Sequence, residues 1–246
     1  MRVAIISSPR SGNTWFREVL SKTLGLENIA IHNYLDAPSS LPKKCALQIH
    51  WYREPNFQKF LLQNDFQLIT LARHPLDVLI STLAFIRHEP ETARWLGGNV
   101  AIPKTLHGCT PTSVAFANYA VSFGAENLLC VSQQWWHDEN VIRVRYEDLV
   151  ANPTSEFGRV VEGLGGGKQR LIEALDERDF SYFQSLPNKH GWKGRPGLWR
   201  LLIVPATARR IRRRHSNVFE TLGYTVRPKL LLSRKRAEAN WNALER

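Results

Sequence analysis

An anion-binding loop is predicted near the start of the chain. Residues 7–14 read SSPRSGNT after a short β-branched run, where the phosphate-binding loop of a P-loop protein stands. Gly12 lets backbone N–H groups approach an anion, and Thr14 opens a helix whose positive end stabilises a phosphate. Arg10 places a cation inside the loop, whereas Asn13 stands where an ATP or GTP hydrolase needs lysine. The sequence therefore predicts phosphate binding without that hydrolysis.

A second anion site is predicted in residues 71–81, which read LARHPLDVLIS. Arg73 leaves the end of a predicted strand, and Ser81 lies about two turns into the helix that follows. Both side chains could therefore face one phosphate. The alternative is a surface arginine and a serine bonded to a carbonyl of its own helix.

His50 is the candidate general base. It ends a predicted strand, and its unperturbed pKa of about 6.5 leaves imidazole largely neutral at pH 7, able to take a proton from an attacking hydroxyl. A lone histidine is more often structural, so its position relative to the two anion sites decides between these alternatives.

Four segments, in this order, resemble the sulfotransferase family that uses 3′-phosphoadenosine 5′-phosphosulfate (PAPS). PRSGNTW resembles its 5′-phosphosulfate loop, RHPLDVLIS its 3′-phosphate element, VRYEDLVANP a strand-end signature, and WKGRPGLWR a late glycine-rich phosphate loop. The resemblance spans most of the chain. It implies a P-loop-like three-layer α/β/α fold with a central parallel sheet, and it implies PAPS as co-substrate, adenosine 3′,5′-bisphosphate (PAP) as product and no metal.

The resemblance also assigns the donor site. The residues expected around the 5′-phosphosulfate are Arg10, Ser11, Gly12, Asn13 and Thr14, with Trp15 beside the adenine. The residues expected at the 3′-phosphate are Arg73, Ser81, Lys193 and Gly194, with Arg195 as a neighbouring cation. Tyr146 and Phe180 are expected to pack near the purine.

The implied reaction is an in-line displacement in which His50 removes the acceptor proton and Arg10 stabilises charge on the leaving oxygen. Three departures from the family pattern bear on it. Arg10 replaces the usual lysine and holds its proton, so it serves as an electrostatic clamp. Gln48 removes a second cation, and Trp192 stands where the late loop usually starts with arginine.

The elements that position these residues alternate along the chain. Strands are predicted at 2–7, 46–50, 66–72 and 140–146, and helices at 14–24, from Pro75, at 112–125 and at 153–164. This alternation indicates a parallel sheet covered on both faces. We expect one domain over residues 1–226 and a C-terminal amphipathic appendage, or a poorly ordered tail, over 227–246. Parts of residues 34–42 and 89–111 are expected to line the acceptor pocket, the latter as a lid or loop.

A net charge of +11 favours anionic partners. The basic cluster at residues 209–214 is expected on one helix, where it either contacts an acidic acceptor or lipid surface or only raises the local potential for the donor. The resemblance implies a small-molecule, glycan or lipid acceptor with a hydroxyl or amine, which the sequence does not identify further. No nucleic-acid module accompanies the charge.

A cytoplasmic location is expected. No apolar run is long enough to span a bilayer, the first strand begins at residue 2, and three widely spaced cysteines suggest free thiols. Two other functions stay open at this point: a P-loop kinase-like phosphotransferase, and a non-catalytic basic protein that binds nucleotide or polyanion.

Overall fold

The fold is built on a sheet of five parallel strands. The computed structural model describes residues 1–186 and 191–245, without the side chains of residues 90, 91 and 245. The strands are β1 (Arg2–Ile6), β2 (Glu27–Ile31), β3 (Cys45–Ile49), β4 (Phe66–Ala72) and β5 (Val141–Arg145). Their order across the sheet is β2-β3-β1-β4-β5, with every neighbouring pair parallel. The predicted fold class is confirmed, whereas β2 is a strand that the sequence did not predict.

Thirteen helices flank the sheet in the described residues. They are α1 (Asn13–Leu24), α2 (Pro55–Gln63), α3 (Pro75–Phe85), α4 (Val114–Tyr119), α5 (Phe123–Trp135), α6 (Tyr146–Ala151), α7 (Pro153–Gly163), α8 (Leu171–Glu177), α9 (Phe180–Ser185), α10 (Trp199–Leu202), α11 (Pro205–Arg214), α12 (Ser216–Thr221) and α13 (Arg234–Glu245). Short 3-10 segments are Tyr34–Asp36, Pro90–Gly98 and Lys104–Leu106.

Two hydrophobic clusters make the structure three-layered. One cluster joins α1, α6, α7 and α8 to the sheet, and the other joins α2, α3, α5 and the C-terminal helices to it. Helix α3 is buried over its whole length, as its nearly all-apolar sequence requires. The site-bearing loops follow the carboxyl ends of the strands, which in a parallel sheet meet at one edge.

The predicted helix over 112–125 is wrong in its extent. Two helices replace it, and each begins at a serine side chain that accepts a backbone N–H: Ser113 from Phe116 and Ser122 from Ala125. The second helix, α5, continues to Trp135. Residue 124, in the first turn of α5, has to be glycine, because a Cβ there would lie 2.2 Å from the Val100 carbonyl oxygen.

The C-terminal segment docks on the domain through α13. Trp241 is buried in the larger cluster, and the Asn240 amide donates to the Leu201 carbonyl at 2.8 Å. The preceding turn exposes Leu230 and Leu231. Residues 227–245 are therefore part packed helix and part exposed turn, and the division at residue 226 stays a prediction.

Candidate active site

The loop after β1 is closed by its own side chains. Asn13 accepts a hydrogen bond from the Ser7 hydroxyl and donates to the Ser8 carbonyl at 3.2 Å. Gly12 precedes α1 with a φ of +95°, and a Cβ there would lie 2.5 Å from the Tyr146 ring. Asn13 thus braces the loop in the position where a P-loop protein has its lysine.

Arg10 reaches from this loop to helix α3. Its backbone has a φ of +63°, its Nε donates to Ser81 Oγ at 3.1 Å, and its guanidinium carbon lies 3.9 Å from the Phe85 ring centroid. Burial, and secondarily the nearby Arg73, lower the pKa of Arg10 to about 9. Because that value is above neutral pH, the guanidinium keeps its charge.

Arg73 lies between the loop and the aromatic ring at the end of β5. Its Nη1 donates to the Arg10 carbonyl at 3.0 Å, and its guanidinium carbon is 4.4 Å from the Tyr146 ring centroid. Arg73 Nε and Ser11 Oγ are buried without a hydrogen-bond partner among the described residues. Since buried polar groups are normally paired and Arg73 lines a cleft, its unmet Nε fits a bound anion.

The late glycine loop, residues 192–200, is held in place by Tyr146, Phe180 and Asp77. The Tyr146 hydroxyl donates to the Gly194 carbonyl at 2.9 Å, and the Phe180 ring lies so close to Gly194 that a Cβ there would be 2.4 Å from it. Asp77 accepts the backbone N–H groups of Gly197 and Trp199. These contacts bring Lys193 to the wall of the cleft.

His50 is held in one tautomer. Its Nδ1 lies 2.8 Å from the Ser7 carbonyl oxygen, and because a carbonyl only accepts, Nδ1 carries the hydrogen and donates. Nε2 is therefore unprotonated and able to take a proton. Burial lowers the pKa of His50 to about 4, which keeps the ring neutral at pH 7.

A cleft of about 800 Å³ collects most of the predicted site residues. The site residues that line it are Arg10, Gly12, Asn13, Thr14, Trp15, His50, Arg73, Ser81, Tyr146, Phe180, Lys193 and Gly194. Ser11 and Arg195 do not line it: Ser11 is fully buried beneath the loop, and Arg195 is exposed to solvent. The two predicted anion sites and His50 therefore share one cleft.

Other lining residues were not predicted from the sequence. His32 follows the unpredicted strand β2, and Arg17 lies one helical turn after Asn13, a spacing that would have pointed to it. Trp95 and Glu89 line the cleft from the predicted loop 89–111. Residues 34–42 do not line this cleft, and Tyr34 packs against Phe57 and Phe60 instead. Their expected place in the acceptor pocket stays a prediction.

Loop 89–111 is also anchored more firmly than a mobile lid. The Trp95 ring stacks on Phe85 with centroids 5.9 Å apart, and Leu96 and Leu106 are buried in the larger cluster. The loop therefore forms a fixed wall of the cleft beside His50.

Two further findings concern the described residues. No group of three or more histidine, cysteine, aspartate or glutamate side chains among them is placed to hold a metal ion. None of their helices is long and apolar enough to cross a membrane.

The parallel α/β/α architecture and the cationic cleft at its strand ends define a group-transfer enzyme for an anionic donor. The family model described as sulfotransferase domain matches residues 1–193, and the chain belongs to that family. It is a sulfotransferase. Membership in this family favours the sulfotransferase prediction over the kinase-like phosphotransferase and the non-catalytic binding protein.

Similar solved structures share the fold. Mouse sulfotransferase SULT7A1 complexed with PAP matches with a TM-score of 0.68 and 17% identity, over 89% of this chain and 84% of that one. Retinol dehydratase in complex with androsterone and PAP matches with a TM-score of 0.54 and 16% identity, over 93% and 82%. No protein of curated function matches the sequence significantly.

Proposed function

We propose that the chain transfers a sulfuryl group from PAPS to an acceptor hydroxyl or amine, with His50 as general base. The observation that carries this proposal is the convergence of a neutral, singly oriented imidazole with Arg10, Arg73 and Lys193 on one cleft. A donor with phosphate at both ends of its nucleoside needs two cationic sites. The acceptor hydroxyl or amine needs a base close to the group that is transferred.

The donor site has one half for each end of the nucleotide. The loop around Gly12 and the start of α1 bind the 5′-phosphosulfate. Arg73, Ser81 and Lys193 bind the 3′-phosphate, and Trp15, Tyr146 and Phe180 pack near the purine. The orphaned Arg73 Nε and the PAP present in the SULT7A1 and retinol dehydratase structures both support this assignment.

In the proposed reaction the acceptor oxygen attacks sulfur as the bond from sulfur to the bridging phosphate oxygen breaks. The acceptor proton passes to His50 Nε2, and PAP departs with the electron pair of the broken bond. Arg10 stabilises the charge that collects on the bridging oxygen. The Ser7 carbonyl fixes the His50 ring through Nδ1, which leaves Nε2 as the nitrogen that takes the proton.

The acceptor is bound against the aromatic wall of the cleft. The Trp95 ring stands edge-on to His50 with centroids 6.0 Å apart and stacks on Phe85, and an apolar acceptor face packs well on such rings. Among small molecules, glycans and lipids, this wall favours an acceptor that joins an apolar face to its hydroxyl or amine. Androsterone in the retinol dehydratase structure is an acceptor-sized molecule of that kind.

The basic helix α11 acts by raising the local positive potential for the anionic donor. Arg212 and Arg214 face Glu220 and Glu126, whereas Arg209, Arg210 and Arg213 have no carboxylate partner among the described residues. A cytoplasmic location is proposed with this function, supported by the free thiols of the described cysteines.

Donor identity is tested by thermal shift. A ligand at 100 times its dissociation constant stabilises the native state by about 2.7 kcal/mol, so PAP should raise the melting temperature far more than 5′-AMP, without added metal. Equal shifts from the two nucleotides would remove the 3′-phosphate site.

Base function is tested by transfer of labelled sulfate from PAPS to a panel of phenols, steroids, sugars and peptides. The variant His50→Ala should lower turnover by about 10²- to 10⁴-fold and leave PAP affinity within about twofold. His137→Ala, which changes an exposed histidine, is the matched control. Equal turnover in His50→Ala and the native chain would remove His50 as base without touching the donor assignment.

A further inference from the structure

Two leucines lie at the tip of an exposed turn in the C-terminal segment. The Leu232 N–H donates to the Lys229 carbonyl at 3.0 Å, which closes a turn with Leu230 and Leu231 at its centre. Their exposures are 71% and 99%. Central turn positions favour Gly, Pro, Asn, Asp and Ser, and single exposed apolar residues are common. Two adjacent leucines at a turn tip are neither usual turn residues nor scattered ones.

The residues around this tip are strongly basic. Exposed cations flank it on both sides: Arg227, Lys229, Arg234, Lys235 and Arg236. No Asp or Glu lies between Glu220 and Glu238 in the sequence. Within the part of the chain that the structure describes, none of the five cations pairs with a carboxylate. We call residues 227–236 the leucine–basic turn.

Helix stability does not account for these charges. Ser233 begins α13 by accepting the Arg236 N–H at 3.2 Å, so three cations occupy the first turn of the helix. Cations there oppose the helix dipole, which favours acidic residues at that end. Their placement fits an external anion better than it fits the helix.

We propose that the leucine–basic turn docks on an anionic phospholipid bilayer, with Leu230 and Leu231 inserted among the headgroups and the flanking cations on lipid phosphates. Apolar side chains bordered by Lys and Arg are the pattern by which soluble domains bind such an interface. The turn lies beyond residues 1–193, so it is no part of the sulfotransferase match.

Two other occupants fit less well. Nucleic acid would use the cations, but its phosphate backbone gains nothing from two exposed leucines. A second copy of the chain would cover the leucines, but it would bring two sets of unpaired cations together. Of these three occupants, the lipid surface alone uses both the leucines and the cations.

The turn is linked to the cleft by one helix. Trp241, about two turns after the basic residues of α13, has its ring centroid 5.4 Å from that of Trp192, which lines the cleft. Docking therefore brings the cleft close to the membrane. The proposal does not depend on sulfuryl transfer, because its test measures binding alone.

The test is co-sedimentation of the full chain with vesicles of phosphatidylcholine, with and without about 30% phosphatidylserine. The native chain should partition at least about tenfold more strongly onto the anionic vesicles. The double variant Leu230→Ser/Leu231→Ser should lose about tenfold of that binding. The triple variant Arg234→Gln/Lys235→Gln/Arg236→Gln should lose about a hundredfold, since each cation near such a surface contributes about fivefold.

Matched controls exist for both changes. Leu35→Ser/Leu62→Ser removes two leucines that are 74% and 79% exposed elsewhere, and Arg209→Gln/Arg210→Gln/Arg213→Gln removes the same charge from α11. Both controls should retain binding within about threefold to fivefold. Equal losses in either control, full binding by the leucine variant, or no preference for phosphatidylserine would each overturn the proposal. Unchanged melting temperatures establish that all variants are folded.

Discussion

Asp77 on helix α3 binds the backbone of the late glycine loop, accepting the Trp199 N–H at 2.9 Å. Its other oxygen accepts the Gly197 N–H at 2.6 Å. Burial raises the pKa of this carboxyl, while Arg73 and the two N–H groups favour its ionised form. The loop that carries Lys193 is thereby fixed to the helix that carries Ser81, so Asp77 positions both sides of the proposed 3′-phosphate site.

The variant Asp77→Asn should therefore weaken nucleotide binding without removing a ligand. One amide oxygen replaces two carboxylate oxygens, which leaves a loop N–H without its acceptor. We expect PAP affinity, measured by calorimetry, to fall about tenfold, because ordering the loop is then added to the cost of binding. Asp148→Asn changes an exposed aspartate and is the control. Unaltered affinity in Asp77→Asn would show that the loop holds its place without this carboxylate.

Ser81 is expected to contribute directly to the same site. Its Oγ accepts the Arg10 Nε at 3.1 Å, and in Ser81→Ala that contact and one phosphate ligand are lost together. PAP affinity should fall about 10- to 100-fold, as for hydrogen bonds to charged groups, while 5′-AMP affinity stays within about twofold.

The neighbouring Thr82 supplies the control for Ser81. Its hydroxyl donates to the Val78 carbonyl of its own helix, so Thr82→Val should leave PAP affinity unchanged. An equal loss of PAP and 5′-AMP affinity in Ser81→Ala would place Ser81 outside the 3′-phosphate site.

Much of the site could be predicted because the ends of buried strands can be recognised in the sequence. The β-branched runs of β1, β4 and β5 stop at Ser7, Arg73 and Tyr146, and parallel strands bring such residues to one edge. Strand β2 was missed because ENIAI lies at the sheet edge, largely exposed, without an apolar alternation. His32, which follows it, was missed with it.

Contacts between distant parts of the chain could not be predicted from the sequence. Asp77 and Gly197 are 120 residues apart, and no local pattern connects them. The same holds for Trp95, whose place in the cleft depends on stacking against Phe85 rather than on any periodicity in residues 89–111. Local propensity indicates elements, whereas these contacts depend on tertiary packing.

The pH dependence of turnover reports the state of His50. Since burial lowers the pKa of His50 to about 4, the ring stays neutral as the pH falls from about 7 to about 5. A base acts only when neutral, so kcat/KM should be flat over that range and fall only as pH decreases through about 4. Initial rates at acceptor concentrations well below KM, with saturating donor, measure it. A decline centred near about pH 6.5 would show an unperturbed base.

Replacing Gly12 by alanine is expected to lower the free energy of unfolding more than replacing Gly25. Both have positive φ, +95° and +64°, so alanine strains either backbone by about 1–2 kcal/mol. At Gly12 the new Cβ would also lie 2.5 Å from Tyr146, whereas nothing lies within 4 Å at Gly25. Urea unfolding should show a free energy of unfolding lower by a further 1–3 kcal/mol or so in Gly12→Ala. Equal losses in the two variants would mean that Tyr146 moves aside freely.

Trp241 decides whether the C-terminal segment is separable from the domain. Its ring is 1% exposed, packs at a tilt against Trp192 and has its centroid 5.2 Å from the Arg87 guanidinium carbon. Trp241→Ala should lower the free energy of unfolding by about 3–5 kcal/mol, as for other buried tryptophans, whereas Leu231→Ala in the exposed turn should change it by less than about 0.5 kcal/mol. A loss that large would mean that a chain ending at residue 226 lacks part of its core. A loss below about 1 kcal/mol would instead favour the predicted division, because a packed helix that contributes so little is an appendage in energetic terms.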